Sequence, residues 1–463
     1  MEATCNTYNM LKLTEDLFRC DPSERYAAFY EKAMFNHILS TQHPEHGGYV
    51  YFTPARPRHY RVYSAPNEAM WCCVGSGMEN HGKYNQFIYT HRQDSLYLNL
   101  FVASELNWKA KGITLRQETT FPYSETTRLA VTKGSGRFVL MVRYPQWVKE
   151  GQFTISVNGK RVAYQAKPSS YIPIVADWKV GDKVEIQFPM QNRVEPLPNV
   201  PHYVAFFHGP ILLGAKTGTT GLRGLVADDS RWGHIAGGEK LPVDKAPVII
   251  ADDVRTLGDK LKPVPGKPLT FSTSALQVNY PEKLELEPFF AIHDARYMMY
   301  WMTFSEEKYK SHLEELAALE KERLALDNRT IDFVAPGEQQ PEADHAMQSE
   351  RSQSGNFLDQ FFRNARGGGF FSYKMATNSE TGLSLMVRYW GEEAGNRSFD
   401  LYIDDEKLPI GNITEPAAQA KFVYVTYPIP DEMVRNKTHV RVKFQSTQGR
   451  STGSVYYIRL VRK

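Results

Sequence analysis

Beyond Ser95 the sequence reads LYLNLFV (96–102), GITLRQETTF (112–121), RLAVTK (128–133), RFVLMVRYP (137–145), FTISVNGKRV (153–162) and KVEIQFP (183–189). These short runs alternate apolar and polar residues, the period of half-buried strands. Asn158-Gly159 between two of them is a strong hairpin signal. The spacing predicts an antiparallel β-sandwich over 95–215. VPHYVAFFHGPILLGAK (200–216) extends it as a buried strand pair broken at Gly209-Pro210.

On the C-terminal side, residues 216–304 form a second β-rich region. It is Gly- and Pro-rich and irregular at first, then LELEPFFAIHDARYMMYWMTF (284–304) reads as two strands around a His293-Asp294 turn, where Asp usually bonds its own backbone. Residues 305–345 read as a charged helix over 305–326, with Ser305 as its N-cap, followed by a polar linker. FFSYKMA, LSLMVRYWG, SFDLYIDD, KFVYVTYPI, VRVKFQS and SVYYIRLVR then predict a C-terminal sandwich over 346–463. On the N-terminal side, residues 1–94 differ in kind. Two helices occupy the first forty residues, divided at Asp21-Pro22. A long loop rich in Pro, Gly, Arg and Tyr follows, and a third helix is expected after Gly77, over MENHGKYNQFIY.

Composition excludes several classes of protein. Of 463 residues, 42% are hydrophobic and 23% charged, which is ordinary globular usage and excludes disorder over most of the chain. A net charge of +3 carries no nucleic-acid footprint. No apolar run is long enough for a membrane span, and the first twenty residues have neither the basic nor the apolar region of a signal peptide. Aromatics at 13%, with 26 Tyr and 7 Trp, suit β-sandwich cores first and carbohydrate-facing surfaces second.

All four cysteines, Cys5, Cys20, Cys72 and Cys73, fall in the N-terminal segment, which points to one local site rather than a disulfide scaffold. Cys72 and Cys73 are adjacent, and Glu2 lies three residues before Cys5. Three thiols and a carboxylate make a plausible tetrahedral zinc set, and a metal-held thiolate is a potential nucleophile. Spacing alone leaves open inert buried cysteines, a Cys5–Cys20 disulfide or a vicinal one. In the long loop, His43, His46, Tyr49, Tyr51, Arg56 and His59 could line a sugar pocket or could form a solvated, hydrogen-bonded loop.

CNTYNMLKLTEDLF (5–18) and WCCVGSGMENHGKY (71–84) resemble the β-L-arabinofuranosidase glycoside hydrolases of family 127 and its sister family 146. VAFFHGPILLGAK and PFFAIHDARYMMYWM resemble the β-domains that follow the catalytic domain there. The resemblance implies a mixed, mainly β chain: the C-terminal part of an (α/α)6-barrel glycosidase domain, followed by β-sandwich domains. It implies a retaining glycoside hydrolase that releases L-arabinofuranose from β-linked arabinofuranosides, so an arabinose-containing glycan is the expected substrate. By this resemblance Cys72 is the nucleophile and a ligand of Zn2+, with Cys5, Cys73 and Glu2 as the other ligands. Cys20 matches nothing functional and reads as a core residue. Glu79 and His81, after the cysteine pair, are candidates for sugar contact or for buttressing the zinc site.

Two departures from the family pattern matter. The family carries Glu-x-Cys, whereas here Ala3 stands two before Cys5 and the nearest glutamate is Glu2. The family's acid/base glutamate lies upstream of the ligand glutamate and has no counterpart here. About three helices are expected, too few to close a barrel, so their apolar faces would stay open to water. The chain is therefore expected to be an N-terminally truncated member with little or no turnover of its own, unless another chain supplies a complementing N-terminal half. The alternative is a non-catalytic carbohydrate-binding fragment. Family resemblance also implies a periplasmic or secreted setting.

Overall fold

The computed structural model describes residues 2–228, 233–358, 360–393, 397–410, 413 and 420–463, with the side chain of Glu2 outside that description. It divides into two compact units, 1–317 and 318–463.

The first unit opens with a two-residue strand, β1 (Glu2–Ala3), that leads into helix α1 (Thr4–Cys20). Leu11 and Phe18 give α1 a buried side, against which α2 (Glu24–Ala33) packs through Ala27 and Tyr30. A π-turn, Met34–Ile38, follows α2, and its His37 Nδ1 lies 2.7 Å from Thr7 Oγ1, tying the two helices together. The loop beyond contains the short strands β2 (Phe52–Thr53) and β3 (Tyr63–Ser64). β2 pairs antiparallel with β1, setting Ala3 opposite Phe52.

The third helix, α3, spans Cys72–His81 and so begins six residues earlier than its sequence signals suggest. Gly75 and Gly77 read as helix breakers, but Gly77 has a packing reason. The Tyr49 ring lies so close that a Cβ there would sit 2.6 Å from its Cδ1.

The sandwich that follows has a six-stranded and a four-stranded sheet, closed over Leu96, Phe101, Trp108, Leu140, Trp178 and Ile186. Its Asn158-Gly159 hairpin is as the sequence predicts, with both residues at positive φ, 50° and 78°. The sandwich begins before Ser95, because Tyr89–Arg92 pairs with Ser95–Leu98. Strands Asn192–Leu197, Val200–His208 and Ile211–Gly218, expected within it, instead join a ten-stranded sheet with Val248–Ile250 and Trp301–Phe304. Phe206 and Leu213 bury themselves against Val248 and Trp301 rather than in the first sandwich, which fixes that choice.

Buried charge joins α2 to the sandwich. Arg143 is fully enclosed, hydrogen bonds Glu31 and the Asn99 carbonyl (2.6 Å), and lies 3.5 Å from Glu24. Trp147 donates its indole N–H to Glu31 at 2.8 Å.

Helix α4, Glu306–Arg329, carries the chain into the second unit. The stretch expected as a polar linker is folded: Thr330–Val334 pairs with Val455–Arg462, and Val334 is in the core. Glu342, in the short helix Gln339–Asp344, accepts bonds from Arg363 (2.6 Å), Tyr373 (2.7 Å) and the Gly337 amide (2.8 Å). These partners hold its carboxylate below the usual range although burial pushes it up. The polarity that suggested a linker belongs to this buried network. The rest of the unit is a nine-stranded assembly around Phe371, Leu385, Phe444 and Ile458. Among the described residues no helix is long and apolar enough to cross a membrane.

Candidate active site

Three thiols meet where two helices begin. Cys5 is the second residue of α1 and Cys72 the first of α3, with Cys73 next to it. The Sγ atoms of Cys5, Cys72 and Cys73 all lie within 4.8 Å of one another. The placement of Cys5 follows from the chain's entry: the Ala3–Phe52 pairing, the Thr4 amide on the Tyr51 carbonyl (3.3 Å) and the Thr4 hydroxyl on the Val50 carbonyl (2.8 Å) pin the start of α1. The thiols sit at the N-terminal ends of both helices, where the helix dipole favours negative charge.

Cys72 is exposed, Cys5 half-buried and Cys73 buried, and all three are free thiols. Burial is the main force that pushes the Cys73 thiol above its ordinary range, with the neighbouring sulfurs adding to it. A divalent cation among the sulfurs reverses that tendency. The donor set fits zinc: Zn–S bonds of about 2.3 Å require sulfurs about 3.8 Å apart, within about 1 Å of the spacing present. Glu2, the expected fourth ligand, has its side chain outside the described residues, although its backbone enters the site through β1. Cys20 is exposed at the last turn of α1, not in the core as expected.

Around the thiols stands an aromatic wall. The Tyr51 hydroxyl and Cys72 Sγ are 3.4 Å apart. Burial, then the thiols, push the Tyr51 phenol up, so it keeps its proton. Tyr51 packs against Phe52, Trp71 and His234, with ring centroids 4.5, 6.2 and 4.4 Å away.

The other expected residues are distributed differently. Glu79 lies two turns along α3 from Cys72, about 10 Å by helical rise. It accepts a hydrogen bond from the Tyr8 hydroxyl and pairs with Lys83 at 3.6 Å, and the Tyr8 bond above all lowers its carboxyl. His81 is at the end of α3. Its Nδ1 lies 2.5 Å from the Tyr84 hydroxyl, and its ring stacks on Tyr49 at 5.7 Å. Burial lowers its pKa to about 4, so it is neutral at neutral pH.

The loop cluster separates into four places. Tyr51 reaches the thiols and Tyr49 supports α3. His43 and His46 stack at 3.8 Å, with His43 Nε2 2.8 Å from Asp294. Arg56 and His59 serve the adjoining β-region, Arg56 donating to the Leu241 carbonyl at 2.8 Å and His59 pairing with Tyr297. The His293-Asp294 pair is structural: His293 Nδ1 lies 2.7 Å from the Tyr63 hydroxyl, and Asp294 turns the chain at φ 48°. Sequence reasoning missed His234, which lies alone in the irregular stretch after residue 216 with no periodic pattern around it.

Four family profiles match successive parts of the chain. Residues 2–86 match the profile of the beta-L-arabinofuranosidase GH127 catalytic domain, and residues 95–190 that of the GH127 middle domain. Residues 193–303 and 325–461 match two further families of unknown function. The first two profiles describe domains of one glycoside hydrolase family. The chain belongs to the GH127 beta-L-arabinofuranosidase family.

Solved structures similar to it include a glycoside hydrolase (21% identity, 65% of this chain and 52% of the other, TM-score 0.49). A GH127 beta-L-arabinofuranosidase from Geobacillus stearothermophilus T6 is 19% identical over 65% of this chain and 50% of its own, with a TM-score of 0.48. The chain thus spans about half the length of the solved structures it matches. No curated protein matches it.

Proposed function

We propose that this chain carries the thiolate side of a retaining glycosidase site that releases L-arabinofuranose from β-linked arabinofuranosides. The observation that carries the reading is the meeting of Cys5, Cys72 and Cys73 at two helix N-termini, inside the segment that matches the GH127 catalytic domain. Cys5, Cys72, Cys73 and Glu2 would hold Zn2+, which when bound keeps the sulfurs deprotonated near neutral pH.

Cys72, the exposed thiol, is the nucleophile. Its sulfur electron pair attacks the anomeric carbon as the bond to the leaving oxygen breaks, and that oxygen takes a proton from a carboxylic acid. Water, deprotonated by the resulting carboxylate, then displaces the sulfur with a second inversion, so configuration is retained. Once that sulfur is ionised, the Tyr51 hydroxyl, 3.4 Å away, is placed to donate to it and steady the thiolate.

Glu79 does not suit the acid role. Retaining enzymes hold the two groups about 5–5.5 Å apart, less than its distance along α3, and its partners favour the ionised form. Glu79 and His81 instead serve as sugar contacts at the rim or as supports of α3. The acid is expected from helices of the barrel upstream of Glu2 in the family's order, on a longer form of this chain or on a complementing one. The apolar stripe Met10, Leu13 and Leu17, exposed by 40, 48 and 40%, supports the need for such helices.

The test is hydrolysis of a chromogenic β-L-arabinofuranoside by this chain, by a form extended upstream and by the Cys72→Ser variant of each, with zinc measured on all samples. Turnover by the extended form, lost by at least a thousandfold in Cys72→Ser, is the expected result. Glycan binding without turnover in any form would favour the non-catalytic carbohydrate-binding reading instead.

A further inference from the structure

The aromatic wall beside Cys72 draws on two parts of the chain. Tyr51, Phe52 and Trp71 belong to the segment that carries the cysteines. His234 comes from residues 193–303, which match a family of unknown function. Its imidazole lies 4.4 Å from the Tyr51 ring, inclined by 31°, and 5.4 and 5.5 Å from the rings of Phe52 and Trp71. The Tyr51 hydroxyl is in turn 3.4 Å from Cys72 Sγ. One side chain of the β-region is therefore packed on the residue that touches the thiol.

The chain around His234 is deliberately tied. The Tyr60 hydroxyl donates to the Arg223 carbonyl (2.7 Å) and accepts from the amides of Arg223 (3.0 Å) and Gly238 (2.7 Å). A single buried phenol thus holds both ends of the excursion that carries His234. Gly238 permits this because a Cβ there would fall 2.4 Å from that hydroxyl oxygen. Val226–Ala227 pairs in parallel with β3, Tyr63–Ser64, and fixes the near end again. Such restraint on an otherwise irregular stretch makes sense if the residue it delivers must stand at a defined place.

Aromatic faces next to polar edges are what a sugar ring requires, with C–H groups over the rings and hydroxyls toward nitrogen or oxygen. The indole Nε1 of Trp71, in the same wall, is buried without a hydrogen-bond acceptor among the described residues. We infer that His234 is a specificity-determining residue of the sugar subsite, forming with Trp71 and Tyr51 the wall against which the furanose ring attacked by Cys72 is seated. This deepens the reading of Cys72 as nucleophile and rests on it.

The test is calorimetric titration of the zinc-loaded chain with 1,4-dideoxy-1,4-imino-L-arabinitol, a cyclic amine with the shape and hydroxyls of the ring. The wild-type chain should bind it, and His234→Ala should bind at least tenfold more weakly with unchanged zinc content. Tyr60→Phe, which alters no wall side chain but frees the ends of the excursion that positions His234, should weaken binding at least threefold. If His234→Ala does not fold, His234→Gln takes its place with the same expected direction. Wild-type affinity in the His234 and Tyr60 variants overturns the inference, and so does absence of binding by the wild-type chain. Failure of the nucleophile reading looks different: Cys72→Ser would keep the turnover of the extended form, whatever His234 does to binding.

Discussion

Tyr51 acts on the site through one hydroxyl. That group keeps its proton because partial burial and the neighbouring thiols push its phenol up, so it can donate to a Cys72 thiolate. A hydrogen bond to a charged acceptor is worth about 1.5–3 kcal/mol. Tyr51→Phe should therefore lower kcat/KM of the extended, zinc-loaded form by roughly tenfold to a hundredfold while zinc content stays the same. At this scale the thiols were legible because a vicinal pair and two more cysteines fall within the N-terminal segment of a chain otherwise without them. Tyr51 was legible only as one member of a loop cluster, since nothing local distinguishes it from Tyr49. His234 was illegible, because its relation to Cys72 exists only through the pairing of distant segments.

Among the elements, α3 matters most, since its start sets the position of two sulfurs. Its first turn was misread because glycine counts against a helix, yet Gly77 is where the Tyr49 ring needs room. Gly77→Ala should displace that ring and destabilise the chain by about 1–3 kcal/mol, although alanine is the better helix former. A thermal melt that rises instead would refute the packing argument. Helix α2 makes the second case. Two carboxylates share one buried arginine, and burial raises the Glu24 carboxyl to about 6. The folded state then holds that proton more tightly than the unfolded chain does. Its contribution to stability is full below the unfolded pKa and is lost as pH rises through about 6. Melting temperature should show this decline between about pH 4.5 and 6.5, and Glu24→Gln should flatten it, with the difference between the two proteins as the readout.

For the whole molecule, strand alternation announced the β-domains, because period-two patterning is local and each strand needs only one apolar face. Domain edges were less legible. Phe206 and Leu213 could have joined either sheet by pattern, and the choice was made by partners far along the chain. Likewise Glu342 looks solvated in sequence, and only Arg363 and Tyr373 reveal it as buried. The stripe of Met10, Leu13 and Leu17 carries a prediction at this scale. The chain should self-associate in a concentration-dependent way, seen by light scattering, and replacing these three residues with glutamine should suppress this without lowering the melting temperature.

The Tyr60 knot has a kinetic consequence. Its hydroxyl bonds, and with them His234, can form only after chain segments far apart in sequence have met, and such long-range closures come late in folding. The thiols, by contrast, all lie within the N-terminal segment, nearer along the chain than Tyr60 is to Arg223 or Gly238, and can gather earlier. During refolding, metal capture should therefore precede sugar binding, and Tyr60→Phe should widen the lag between the two signals.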